Sequence, residues 1–217
     1  MKDSSIYSIW KPSGITSFDV IREIKSCHKN IEKIGHCGTL DPFAEGILII
    51  CTGSKVKESQ KYMNLEKTYI ADILFGSETD TLDCTGAVIR KSSSSLTIDE
   101  SLLQVSLSKY LDNYIQSPPY YSAKKINGIK MYEFARKDIF IKPKGSLVKI
   151  QSLRIINYVE STLKLEIKCG AGTYIRSLAR DIAYDFNTFG YVNKLTRSHV
   201  GDYCIENSIK FCDINKC

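Results

Sequence analysis

The stretch from residue 35 to residue 51 reads Gly-His-Cys-Gly-Thr-Leu-Asp-Pro-Phe-Ala-Glu-Gly, then Ile-Leu-Ile-Ile-Cys, and it constrains the fold most. Five consecutive apolar residues, Ile47 to Cys51, leave no polar face, so the strand they form must be covered on both sides. The residues before them cannot simply extend that strand. Pro42 fixes its own φ, lacks an N–H and biases Asp41 toward extended geometry. Gly35, Gly38 and Gly46 supply flexibility or close backbone approach. The pattern predicts a tight, exposed turn carrying the Asp41 carboxylate and anchored on a core strand, the kind of place where catalytic groups sit. Taken alone, an Asp-Pro turn has a plainer reading, an Asp capping its own backbone. The rest of the chain decides between them.

The chain has 217 residues, enough to bury a substantial core. No apolar run approaches the roughly eighteen residues that span a bilayer, and Met1 to Ile6 lack the pattern of a secretory signal. A cytoplasmic protein with no membrane association is expected. Eight cysteines, at 27, 37, 51, 84, 169, 204, 212 and 217, contain no C-x-x-C pair. Cys27-His28 and His36-Cys37 are the only mixed soft clusters, and adjacent residues seldom both reach one ion, so no metal site is expected. Cys51 and Cys169 lie in apolar strand patterns and read as small core residues. With no export signal, the thiols should be reduced.

Charge is unevenly spread. Residues 120–150 hold eight Lys or Arg against two acids, Glu133 and Asp138, so the whole formal excess of +6 lies there. A charge run often means only a solvated face. This one lies beside Tyr120, Tyr121 and Tyr132, which favours a polyanion-binding arm with steep salt dependence.

Helix and strand signals alternate. Phe18, Ile21 and Ile24 recur at helical spacing after Thr16 and Ser17, with Asp19 three residues beyond Thr16. Tyr69, Ala71, Ile73 and Phe75 share one face of a strand whose other face holds Ile70, Asp72 and Leu74. Thr97 and Glu100 form a capping-box signature opening a helix through Leu102, Leu103, Leu107 and Leu111, with Ser92–Ser95 as a short linker before it. Leu163, Leu165, Ile167 and Cys169 alternate with Lys164, Glu166 and Lys168. Ile175, Leu178, Ile182 and Phe186 mark a further helix. The interleaving predicts an α+β architecture with a mixed, mostly antiparallel sheet.

Seven motifs in order resemble one family. They are Lys11-Pro12-Ser13-Gly14-Ile15-Thr16-Ser17, the Asp41 segment, Lys67-Thr68-Tyr69 and Gly76-Ser77-Glu78-Thr79-Asp80-Thr81-Leu82-Asp83. Gln116-Ser117-Pro118-Pro119 with Tyr121-Ser122-Ala123, Gly172-Thr173-Tyr174-Ile175-Arg176, and Leu195-Thr196-Arg197 with Gly201 complete the series. From residue 6 to about 205, the chain resembles the bacterial tRNA pseudouridine-55 synthases of the TruB type. The resemblance implies a central sheet flanked by helices, an active cleft across its middle and a basic thumb-like insertion, here near 120–150. Members commonly carry a C-terminal RNA-binding PUA domain. This chain stops sixteen residues after Gly201, so a single catalytic domain over 1–217 without a PUA domain is expected.

The implied reaction isomerises a T-loop uridine of tRNA to pseudouridine and requires no cofactor. Asp41 matches the catalytic carboxylate, which either attacks the ribose or removes a ribose proton. Arg176 matches the arginine that pairs with it, holding one orientation and favouring the ionised form. An ordinary surface ion pair is the plainer reading. Tyr69 matches the tyrosine that stacks on the everted uracil, and Tyr174 and Leu195 match pocket-lining positions, although core packing is the common fate of such residues. His36 matches a histidine that contacts substrate near the vacated position. Lys11 and Pro12 match a supporting motif. Lys124, Lys125 and Lys130 are the expected phosphate contacts. The T-stem-loop of tRNA is the expected partner, with no obligate protein partner and a monomeric state. Cys37, Phe43 and Glu45 depart from the commonest family pattern without replacing the catalytic position. A tRNA-binding folding factor is the alternative from another class. A phosphate-loop nucleotidase, suggested by Gly170-Ala171-Gly172-Thr173, is excluded because the Gly-Lys-Ser/Thr ending is missing.

Overall fold

A computed structural model describes residues 1, 3–93 and 98–216. Along the chain the strands begin with β1 (Ile6–Lys11), β2 (Ile34–His36), β3 (Glu45–Thr52), β4 (Lys67–Phe75), β5 (Ser77–Thr79) and β6 (Val88–Lys91). They continue with β7 (Asp112–Gln116), β8 (Lys125–Ile126), β9 (Ile129–Lys130), β10 (Ser146–Val159), β11 (Thr162–Cys169), β12 (Gly190–Val200) and β13 (Ile209–Lys210). The α-helices are α1 (Ser17–Cys27), α2 (Ser59–Met63), α3 (Glu100–Ser108), α4 (Met131–Ala135) and α5 (Ile175–Asp185). The chain divides into two compact units, Met1–Ile70 with Leu195–Cys217, and Ala71–Lys194.

In the first unit β1 pairs antiparallel with β3, β3 antiparallel with β2, β1 parallel with β13, and β3 parallel with β12. The apolar run explains its own coverage. Leu48 and Ile50 enter a cluster with Ile9 of β1 and Val20, Ile21 and Ile24 of α1. Ile47, Ile49 and Cys51 enter a second cluster with Cys37 and Val200. All five residues of the run are fully buried, which at about 1.5–3 kcal/mol per large side chain makes β3 the central source of stability here. Helix α1 opens on a reciprocal cap. Thr16 Oγ1 accepts from the Asp19 N–H at 3.1 Å and Asp19 Oδ2 accepts from the Thr16 N–H at 2.8 Å. The helix turns Val20 inward rather than Phe18, which is 54% exposed and stacks under the Arg22 guanidinium at 4.9 Å.

In the second unit the long β10 pairs antiparallel with β11 and with β7. Leu163, Leu165, Ile167 and Cys169 alternate inward along β11, as their spacing predicts. Helix α5 buries Leu178, Ala179, Ile182 and Ala183. Helix α3 buries Leu103 and Leu107, and its Ser106 hydroxyl donates to Asp185 of α5 at 2.6 Å. Asp99 caps α3 by accepting from the Ser101 N–H at 2.7 Å. The Thr97 capping box and part of the serine linker lie outside the described residues. Leu102 is exposed, and Leu111 falls beyond the helix. Among the described residues no helix is long and apolar enough to cross a membrane.

Candidate active site

In the first unit the Asp41 loop is held almost entirely by side chains from elsewhere in the sequence. Lys11 is fully buried, and its ammonium donates to the carbonyls of Pro12 and Ile15 at 2.8 Å, Ala44 at 2.6 Å and Pro42 at 3.4 Å. Burying an ammonium costs several kcal/mol, which such a cage of oxygens offsets. Burial, then the charge of Arg197, lowers the Lys11 pKa to about 8, while Asp41, Glu45 and Asp19 pull it upward. The Gly14 N–H donates to the Pro42 carbonyl at 2.8 Å and the Ser13 hydroxyl to that of Phe43 at 2.7 Å. Ser17 Oγ both donates to the Leu40 carbonyl and accepts from the Leu40 N–H. Arg197, 2% exposed on β12, donates to the carbonyls of Ile47 at 2.7 Å, Thr39 at 3.2 Å and Gly38 at 3.3 Å.

Every carbonyl from Gly38 to Ala44 therefore has a donor without regular structure. The loop turns at Pro42-Phe43, with the Ala44 N–H donating to the Asp41 carbonyl at 3.2 Å. Asp41 is half-buried, less exposed than the sequence suggests. Gly46 pairs with Arg197 at φ +123°, and a Cβ there would lie within the Arg197 backbone. Only glycine permits both that conformation and that approach. Of the other predicted residues in this unit, His36 ends β2 and is half-buried. Its Nδ1 is buried and has no hydrogen-bond partner among the described residues. Desolvation, and next the Arg197 charge, lower its pKa, so the ring is neutral near pH 7. Tyr69 on β4 and Leu195 on β12 are both largely buried. Their strands adjoin here, since Ser198 Oγ donates to the Thr68 carbonyl at 3.2 Å.

In the second unit Arg176 lies in the first turn of α5 and is 5% exposed. Its guanidinium donates to the carbonyls of Thr81 at 2.7 Å and Tyr121 at 3.0 Å, and lies 3.6 Å from Asp83 Oδ2. This is a buried, oriented cation rather than a surface ion pair. Asp83 is itself fixed, because its Oδ1 accepts from Thr81 Oγ1 at 2.8 Å, the Thr85 N–H at 3.0 Å and Thr85 Oγ1 at 2.5 Å. Tyr174 forms the N-cap of α5. The Gln116 side chain accepts from its N–H at 2.8 Å and donates to its carbonyl at 3.1 Å.

The basic segment of this unit is a small structure of its own. Strands β8 and β9 join through Asn127 and Gly128, both at positive φ, the usual pairing for a two-residue hairpin. Lys125 is exposed. Lys130 lies 5.4 Å from the Tyr132 ring, which Arg136 also approaches at 5.1 Å. Lys124 differs, since its ammonium donates to the Lys144 carbonyl at 3.2 Å and to Ser146 Oγ. Part of the predicted phosphate-binding charge thus also closes the base of the segment. Among the described residues no group of three or more His, Cys, Asp or Glu is placed to hold a metal ion.

Arg197, Asp83 and Gln116 show no role in the sequence pattern, although each lies within one of the seven motifs. The available signal was register. Leu195 and Arg197 are two apart on one strand, so a cation there faces the same buried side as its apolar neighbour.

Residues 25–175 match the model of the TruB family pseudouridylate synthase N-terminal domain. The chain belongs to this family. A tRNA pseudouridine synthase B of Fusobacterium nucleatum is 41% identical over 201 residues, covering 93% of this chain and 69% of that protein. One from Clostridium tetani is 37% identical over 213 residues, covering 98% and 73%. Among solved structures, a chain from a Cbf5-Nop10-Gar1 complex superposes with a TM-score of 0.75 at 23% identity. That match covers 97% of this chain and 53% of the solved one, so the chain spans about half its length. The shared fold is the α+β pseudouridine synthase fold with a mixed sheet, and the TruB family is an isomerase family.

Proposed function

We propose that this chain is a tRNA pseudouridine synthase that isomerises the T-loop uridine at position 55, with Asp41 as its catalytic carboxylate. The observation that carries the reading is the grip on the Asp41 loop. Two buried cations and two serines, Ser13 and Ser17, fix a carboxylate-bearing turn with no regular structure of its own. Such pre-organisation is what positional catalysis demands, because about 1 Å of misplacement can cost 10²-fold in rate. The family and the names of the curated relatives supply the substrate class.

The reaction breaks the N-glycosidic bond, turns the base and rejoins it through carbon. No group is gained or lost, so side chains alone suffice and no cofactor is assigned. Asp41 attacks the ribose or removes a ribose proton, and either route needs a fixed, ionised carboxylate. Arg176 is assigned as the guanidinium that serves it, with Asp83 orienting Arg176. The target base must be everted from its loop. Tyr69 stacks on it, Tyr174 and Leu195 line its pocket, and the neutral His36 contacts substrate. Lys125 and Lys130, with Lys124 at the base, contact phosphates from an RNA-binding insertion over 120–150 of a single catalytic domain. The chain is read as a monomer acting in the cytoplasm without an obligate protein partner.

The test is incubation of the purified chain with an unmodified tRNA transcript, followed by mapping of any isomerised uridine. Conversion at the T-loop uridine is expected, and Asp41→Asn should lower it by at least about 10³-fold while tRNA affinity changes little. Unchanged turnover in that variant would defeat the assignment of Asp41. No conversion by the intact chain would favour the folding-factor alternative.

A further inference from the structure

Cys37 and Cys51 take no part in the site described above, yet their sulfurs lie 3.0 Å apart with both residues essentially fully buried. Strand pairing puts them there. Gly35 stands opposite Cys51 and His36 opposite Ile50. Cys37, one residue past β2, still donates its N–H to the Ile49 carbonyl at 2.8 Å. Its side chain therefore falls on the same side of the ladder as that of Cys51, on the diagonal. Gly35 brings no side chain to separate them. Both thiols sit in the apolar cluster with Ile47, Ile49 and Val200.

We propose that Cys37 and Cys51 form a redox modification site, closed to an intrachain disulfide by a hydroperoxide. The thiolate of one cysteine attacks the peroxide oxygen, giving a sulfenic acid and, with hydrogen peroxide, one water. The second thiol then displaces a further water from the sulfenic sulfur as the S–S bond forms. Two thiols are oxidised by two electrons and one peroxide is reduced to two waters. The sulfurs must close by about 1 Å to reach the bonded distance of about 2.05 Å. Burial raises both thiol pKa values, so the step awaits local opening at β2 and runs more slowly than oxidation of the exposed Cys27, Cys84 and Cys212.

The consequence for turnover rests on the catalytic reading of Asp41; the disulfide itself does not. Cys37 lies four residues before Asp41 and directly precedes Gly38 and Thr39, whose carbonyls Arg197 holds. Closing the S–S bond moves Cys37 and with it the adjoining Gly38 and Thr39, so the loop shifts against the Arg197 contacts and turnover should fall by about 10-fold or more.

The experiment treats the full chain with hydrogen peroxide, alkylates it under denaturing conditions, then reduces it and applies a second label for peptide mapping. Cys37 and Cys51 should carry the second label in equal proportion, and an unreduced digest should contain their linked peptides. Turnover should recover with dithiothreitol, and Cys51→Ser, shown folded by circular dichroism, should resist the loss. Retention of the first label on both residues after the exposed cysteines are consumed would overturn the proposal, as would a link to another cysteine. A correct link with unchanged turnover would overturn its coupling to the loop. The mapping uses no tRNA, so it is decided independently of whether the unoxidised chain isomerises uridine.

Discussion

The Asp41 loop and the basic segment of residues 120–150 hold their cations in opposite surroundings. Around Asp41, Lys11 and Arg197 are buried and donate only to backbone carbonyls, those of the loop and of the segments that flank it. In the basic segment, Lys125, Arg136, Lys137, Lys142 and Lys144 are exposed, and order comes from a hairpin and contacts around the Tyr132 ring. A charge that builds a turn must be dry and fully bonded, whereas a charge that meets phosphate must stay wet and adjustable. The same residue types therefore fail differently when replaced.

The largest effect should come from Gly46→Ala, which sets a methyl into the Arg197 backbone and demands φ +123° from alanine. A loss of about 3 kcal/mol or more in denaturant stability is expected, with activity falling in parallel. Arg197→Met removes the donors to Gly38, Thr39 and Ile47 while keeping length. Its kcat should fall by about 10²-fold with tRNA affinity nearly unchanged, so an affinity loss instead would blur the contrast between the two regions.

Lys11 offers a smaller, reversible test. As pH passes about 8, its ammonium loses a proton and one of its three donors, so kcat should decline on the alkaline side by less than about tenfold. Stability should move the other way. The folded pKa lies below the ordinary 10.5, so between pH 8 and 10.5 the unfolded chain holds more protons. The wild type should then gain stability relative to Lys11→Met across that window, which paired denaturation curves would read.

The smallest effects belong to the basic segment. Lys125→Ala should weaken tRNA binding a few-fold and flatten the salt dependence by about 0.7–0.9 in log–log slope, without changing stability. Lys124→Ala should do the same and also cost about 1 kcal/mol, because it frees the Lys144 carbonyl. Equal behaviour of the two variants would show that the base of the segment needs no pin.

The sequence made some elements legible because one pattern decided them. The run Ile47 to Cys51 has no polar face, and Thr16 with Asp19 spells out its own cap. Other elements were hidden by competing signals. Phe18 fits the helical spacing but yields its place to Val20. The β10–β11 hairpin turns through Glu160 and Ser161, with Glu160 at φ +54°, and carries no Asn-Gly mark. At the site, the Asp41 turn was readable from Pro42 and its glycines. Of the partners that fix it, Lys11 takes its supporting role from the family resemblance, but Arg197 was not legible, because an Arg in an alternating strand looks like a wet residue until tertiary packing buries it. Asp83 was obscure for the same reason, being a buried carboxylate in a threonine-rich turn.

The hold of Arg197 on Gly38 and Thr39 joins segments more than 150 residues apart in sequence. A peptide spanning only residues 35–51 would carry the acid but lose its posture. The posture of that turn is therefore written in two distant places at once, and a chain cut before β12 would keep the acid without the clasp that steadies it.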